Sequence, residues 1–132
     1  MNLPLDFQLT TARFRLRAPS EADIPHIFSA TRYPGFNDGM VWDTPATPEE
    51  LQEPLRRSLD DWTLGRAFSF TIEMREGSDF VGRVGIRPTQ QPNQWNIGFW
   101  VHPNLQGQGF MKEAARAVVD FGFEHQIGRA HV

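Results

Sequence analysis

Residues 105–114 read Leu-Gln-Gly-Gln-Gly-Phe-Met-Lys-Glu-Ala. Two glycines alternate with two glutamines and open directly into an amphipathic run. The first amides of a helix point outward without intrahelical partners and carry positive partial charge. Glycine beside them lets a ligand approach the backbone closely. The combination suits a phosphate or pyrophosphate group. Gln106 and Gln108 add neutral donors, and Lys112 adds a charge at the rim. The plain alternative is an ordinary glycine-containing turn between a strand and a helix.

Two phosphate-binding loops are excluded by spacing. A Walker loop requires G-x-x-x-x-G-K-[ST], which is absent. A dinucleotide fingerprint requires G-x-G-x-x-G, and here Lys112 stands where the third glycine belongs.

Other residues have weaker claims. Trp42 and Asp43 lie in a loop rich in Gly, Pro, Asn and Asp, where Asp43 either attracts an amine or is a solvated acid. Glu73 alternates outward from its strand and reads as a surface acid rather than a base. His102 reads as a solvated turn histidine, and Glu113 and Asp120 as polar-face helix residues. Trp95 or Trp100 is placed to flank a ligand channel. The four histidines show no metal-ligand spacing, so no metal is expected.

The elements that position these residues follow from periodicity. Phe7 to Arg17 reads as a strand, with Phe14 and Leu16 alternating against Arg13, Arg15 and Arg17. Ser20 starts a helix, with Asp23 three residues on to reach back to it. Thr47 caps a second helix with Pro48 at its first position, a Leu51, Leu55, Leu59 and Trp62 stripe, and Gly65 as its stop. Residues 67–74 and 80–86 read as strands. Residues 95–101, Trp-Asn-Ile-Gly-Phe-Trp-Val, read as a third strand, more uniformly apolar than the others and therefore central. Gly109 to about Gln126 is the last helix. The order β-α-α-β-β-β-α describes antiparallel strands leading into a strand-turn-helix unit, an arrangement that normally feeds a further parallel strand.

Bulk properties narrow the function classes. A chain of 132 residues allows one domain with one modest core. Its net charge of -3 gives no footprint for nucleic acid. A mildly acidic surface does not oppose a cationic partner such as an amine. The absence of cysteine removes disulfides and thiolate chemistry and fits a cytoplasmic protein. No apolar run approaches bilayer length, and no signal peptide is legible at the N-terminus.

The chain resembles the GNAT acetyltransferase superfamily, and within it the RimJ/RimL-type, ribosomal-protein N-acetyltransferase-like group. The resemblance runs from Leu9 to Glu124. It is carried by LTTARFRLRAPSEADIPHIF, MVWDTPATPEE, FVGRVGIRP and above all WNIGFWVHPNLQGQGFMKEA. Gln106 to Met111 match the superfamily's pyrophosphate loop, [QR]-x-x-G-x-[GA], except at Met111, where the superfamily has a small residue. The resemblance implies an α/β (α+β) GNAT fold with a mixed twisted sheet. It implies acetyl-CoA as co-substrate, with Phe99, Trp100 and Val101 against the pantetheine arm and Gln106, Gly107, Gln108, Gly109, Phe110 and Met111 at the pyrophosphate. It places Trp42 and Asp43 at the acceptor site.

The implied reaction is direct transfer of acetyl to a primary amine, on a small molecule or a peptide, without a covalent intermediate. Many members use a Glu on or near the fourth strand, where this chain has Trp95 and Asn96, so no catalytic base is named. A non-catalytic acyl-CoA-binding or regulatory domain stays open. So does a partner-binding fragment that forms a homodimer through an open strand edge. Residues 1–126 are expected to be the N-terminal part of a single GNAT domain, lacking its C-terminal strands. Residues 127–132, Ile-Gly-Arg-Ala-His-Val, look like translated adapter sequence and are expected to be a non-native tail. On that expectation the 132-residue chain alone is inactive.

Overall fold

The computed structural model describes residues 3–36, 44–91, 94–124 and 129–131. Six strands form one sheet in sequence order: β1 (Gln8–Thr10), β2 (Phe14–Arg17), β3 (Phe68–Met74), β4 (Phe80–Pro88), β5 (Gln94–Val101) and β6 (Arg129–His131). β1 to β5 are antiparallel, and β6 runs parallel to β5. Three helices accompany them: α1 (Ile24–Thr31), α2 (Gln52–Thr63) and α3 (Phe110–Glu124).

The expected single strand over residues 7–17 is instead a hairpin. Thr11 turns the chain, its Oγ1 accepting from the Phe14 N–H at 3.0 Å. The expected helix starts are present. Asp23 Oδ2 accepts from the Ser20 N–H at 3.0 Å, and Glu50 accepts from the Thr47 N–H at 2.8 Å. Gly65 ends the second helical segment with φ +71°, a conformation glycine adopts without a Cβ penalty.

Strand alternation sorts the sheet into two faces. Leu16, Phe70, Ile72, Val84 and Ile97 point to one side and pack with Phe110, Ala114, Val118 and Phe121 of α3. The opposite face, towards α1 and α2, carries Arg15, Arg17, Thr71, Glu73 and Arg83. A second, smaller cluster of Ile24, Ile27, Leu51, Leu55 and Phe80 closes over that side, with Trp100 against it.

β5 lies between β4 and β6 in the sheet, as expected of an inner strand, but much of it is not buried. Among the described residues β4 pairs along its length, and β6 pairs at Gln94, Trp95 and Asn96. Phe99 is 46% exposed and Trp100 half-buried. The strand is apolar because it walls a cleft, not because it lies in the middle of the core.

Candidate acyl-donor cleft

The cleft lies beside the C-terminal half of β5. β5 and β6 share register at Gln94–Asn96, and beyond it the edge of β5 from Ile97 to Val101 has no partner strand among the described residues. At that end the chain leaves β5 through a short 3-10 turn, Pro103–Leu105, and enters α3. Between them Gly107 and Gly109 take φ of +82° and +72°, a region costly for residues with a Cβ. Nothing lies within 4 Å of where a Cβ would stand on either glycine. The loop is therefore bent for backbone reasons and open on its outer side, as a cradle for an anion at a helix start requires.

A cavity of about 560 Å³ occupies this corner. Phe99, Trp100, Val101, Gln106, Gly107, Gly109, Phe110 and Met111, each expected from the sequence at a cofactor site, all line it. Gln108, on the same loop, is exposed but does not line the cavity. Lys112 stands at the wall, and Gln106 donates from Nε2 to the Val101 carbonyl at 3.3 Å, tying the loop back to β5. Met111 is half-buried, its side chain packed against the apolar core. Trp42 and Asp43 lie outside the described residues.

Sequence reasoning missed the third wall, the turn after α1. Tyr33, Pro34, Gly35 and Phe36 line the cavity opposite the loop. The Phe36 ring meets Trp100 edge-on at 5.2 Å, and the Tyr33 hydroxyl bonds Asn104 Oδ1 at 2.5 Å. A Tyr-Pro-Gly-Phe turn signals a loop but not its destination, which depends on long-range contacts.

His102 is corrected from a solvated turn residue to a buried strut, 8% exposed. Its Nδ1 accepts from the Asn104 N–H at 3.2 Å, so in the neutral ring the proton sits on Nε2, 3.2 Å from Ser29 Oγ on α1. The Tyr33 ring lies edge-on to it. Burial, reinforced by the charge of nearby His26, pulls the His102 pKa below its ordinary value.

Glu73 is likewise corrected from a surface acid to a buried one, 6% exposed. It is paired with Arg15 at 2.6 Å and with Arg17. Alternation placed it on the right face, but that face is covered by helices. Glu113 is not simply a polar-face residue. It accepts from the Thr11 hydroxyl, from the Arg13 N–H at 3.0 Å and from Arg13 Nε at 2.7 Å, clamping α3 to the β1–β2 turn. Burial opposes its charge, but these bonds hold its carboxyl below the usual range. Asp120 is exposed on α3 as expected. Trp95 is half-buried at the end of β5 away from this cavity, and Trp100 is the tryptophan that reaches it. Among the described residues no cluster of three or more His, Asp or Glu could hold a metal ion, and no helix is long and apolar enough to cross a membrane.

Comparison with known proteins agrees with this geometry. The family described as acetyltransferase (GNAT) domain matches residues 13–132. The uncharacterised protein YkkB of Bacillus subtilis is 28% identical over 130 residues, covering 92% of this chain and 72% of YkkB. A candidate ribosomal-protein-serine acetyltransferase of Vibrio cholerae superposes with a TM-score of 0.80 at 24% identity, over 94% of this chain and 71% of that one. RimL, a ribosomal L7/L12 alpha-N-protein acetyltransferase solved with coenzyme A, superposes with a TM-score of 0.76 at 19% identity, over 93% of this chain and 71% of RimL. At these identities the two structural matches establish the shared fold.

Proposed function

The chain belongs to the acetyltransferase (GNAT) domain family, and on that premise we propose that it holds acetyl-CoA in the cleft beside β5 and passes the acetyl group directly to a primary amine. The observation that carries this reading is the open glycine loop at the start of α3, set against Phe99, Trp100 and Val101 of β5 in one cavity. The pyrophosphate sits on the amides of Gln106 to Met111, where backbone dipoles and Lys112 meet its charge. The pantetheine arm lies along Phe99, Trp100 and Val101 as a partial strand, bonding backbone groups that have no partner strand among the described residues.

Transfer then needs little from the protein beyond placement. A neutral amine nitrogen attacks the thioester carbonyl, and the oxyanion is met by a backbone N–H on the edge of β5. The C–S bond breaks, CoA departs as thiolate, and the ammonium proton passes to water or to the thiolate. Glu73 is committed to two arginines and His102 to Ser29 and Asn104, so neither is assigned as base. The acceptor approaches from the side of α1, and the family resemblance assigns Trp42 and Asp43 to its binding. A peptide N-terminus is the acceptor class suggested by RimL, and the cytoplasm, where acetyl-CoA and nascent chains meet, is the expected setting.

The deciding experiment titrates the chain with acetyl-CoA by calorimetry and then follows thiol release with a panel of amines. Saturable binding with amine-dependent release supports acetyl transfer. Binding without release for any amine leaves only an acyl-CoA-binding domain, and absence of binding sinks the reading altogether.

A further inference from the structure

The sheet face under α1 and α2 holds more positive charge than its carboxylates can meet. Arg15 and Arg17 both bind Glu73, and Arg17 also binds Asp23 at 2.7 Å. Asp23 Oδ2 is fully subscribed: it accepts from Arg17 Nη1 at 3.2 Å, the Ser20 N–H at 3.0 Å and Thr71 Oγ1 at 2.7 Å. Arg83, next on this face, comes only within 4.0 Å of that oxygen, beyond hydrogen-bond reach. Its Nε is buried and has no hydrogen-bond partner among the described residues. Burial pulls the Arg83 pKa below its ordinary value, with the Asp23 charge only partly opposing. A buried guanidinium donor left unpaired is costly, and an oxyanion is the partner whose charge and geometry match it best.

A space for one exists beside it. A cavity of about 220 Å³ lies between α2 and the sheet, lined by Arg83, Arg87, Ser58, Ser69 and Trp100. Arg83 and Arg87 are four apart on β4 and so share a face. Gly85 lies between them on that face with no side chain, and a methyl there would come within 3.4 Å of Ser69 Oγ. The Arg-x-Gly-x-Arg spacing thus leaves room for both guanidinium groups to converge. The volume suits an oxyanion with a few carbons and is too small for a nucleotide.

We propose that this cavity seats an oxyanion of the acceptor molecule, a carboxylate or a phosphate, held by Arg83 and Arg87 with the Ser58 and Ser69 hydroxyls. Assignment to the acceptor rests on the acetyl-transfer reading. Trp100 lines both this cavity and the cleft, so a molecule anchored here extends towards the thioester.

The test titrates the full chain with sodium acetate and with inorganic phosphate, against sodium chloride at constant ionic strength, reading heat and tryptophan fluorescence. Saturable binding of either oxyanion is expected, the tighter one naming the group. Arg83→Lys, Arg87→Gln and Gly85→Val should each weaken it at least tenfold. Arg87 is exposed, so Arg87→Gln stays informative if changes at Arg83 or Gly85 disturb folding. No saturable binding, or binding unchanged in a natively folded Arg87→Gln chain, overturns the proposal. CoA is titrated in parallel. A chain that binds CoA but no oxyanion loses only this cavity, and one that binds oxyanion but not CoA loses the acetyl-transfer reading instead.

Discussion

The ion network under α1 and α2 makes single residues unusually consequential. Asp23 is 1% exposed and neutralises Arg17 while capping the turn before α1. Burial alone would raise its pKa, but the bonds from Arg17, Thr71 and Ser20 hold it below the ordinary carboxylate value. Asp23→Asn keeps the shape and removes the charge, leaving two arginines short of a counterion. Breaking a buried pair from one side costs roughly 3–5 kcal/mol, and the partial exposure of Arg17 reduces this to about 2–4 kcal/mol. Urea unfolding measures it, and a loss under about 1 kcal/mol would show the network to be solvent-screened. His102 gives a pH signature. Its folded pKa lies below the ordinary 6.5, so the unfolded chain takes the proton first. Its contribution is therefore present above pH 6.5 and is lost as pH falls through the folded value. Between pH 7 and 5 the wild type should lose more stability than His102→Gln. Parallel curves for the two proteins would refute this. The burial of Glu73 and of His102 was not legible in the sequence. Alternation along β3 gives Glu73 its face but not what covers that face, and His102 looks exposed because the proline after it signals a turn.

Among the elements, β5 depends on two glycines with opposite demands. A Cβ on Gly82 would strike the Trp100 carbonyl and stand 2.9 Å from Val101 Cα, both backbone. A Cβ on Gly98, across the same pair of strands, meets nothing within 4 Å. Gly82→Ala should force β4 from β5 at the cleft and cost more than 2 kcal/mol, in the range of overpacked cores. Gly98→Ala should change stability by less than about 0.5 kcal/mol. Thermal melts of the two variants decide, and equal effects would mean that β4 yields at that point. The loop glycines act differently. Gly107→Ala or Gly109→Ala pays only the positive-φ penalty of about 1–2 kcal/mol, since each Cβ faces open space. CoA affinity should fall much further than stability, because that open space is where the pyrophosphate is proposed to lie. This loop was the most legible part of the molecule, since its glycines, amides and following helix are contiguous. The hairpin at residues 8–17 was not, because the Thr11-Ala12-Arg13 turn contains no Gly, Pro or Asn to break the strand pattern. The partial exposure of β5 was hidden for a related reason: an apolar strand lining a cleft has the same composition as a fully buried one.

At the scale of the whole molecule, the cleft is the meeting of three separately anchored bodies. The turn after α1 is tied to the exit of β5 through Tyr33–Asn104 and Ser29–His102. The α3 start is tied to β5 through Gln106 and Val101, and its next turn to the β1–β2 hairpin through Glu113 and Arg13. These ties are few, and one face of the cavity is the edge of a strand. A ligand in the cleft would touch all three bodies at once, so its binding energy would appear as stability of the entire fold. At a free concentration a hundred times its Kd, a ligand specific for the native state adds about 2.7 kcal/mol. For a chain of 132 residues, an unfolding entropy of about 2.1 cal/mol/K per residue converts this to a rise in Tm of about 10 °C. The rise should survive added salt, because the proposed contacts are backbone amides with Lys112 as the single cation on the cavity wall among the described residues, and a chain of net charge -3 does not attract a polyanion at long range. Scanning calorimetry with CoA at low and at physiological salt tests both points. A rise that disappears with salt would mean diffuse ion pairing in place of the helix-start cradle, and no rise at saturating CoA would mean that the three walls do not form one site.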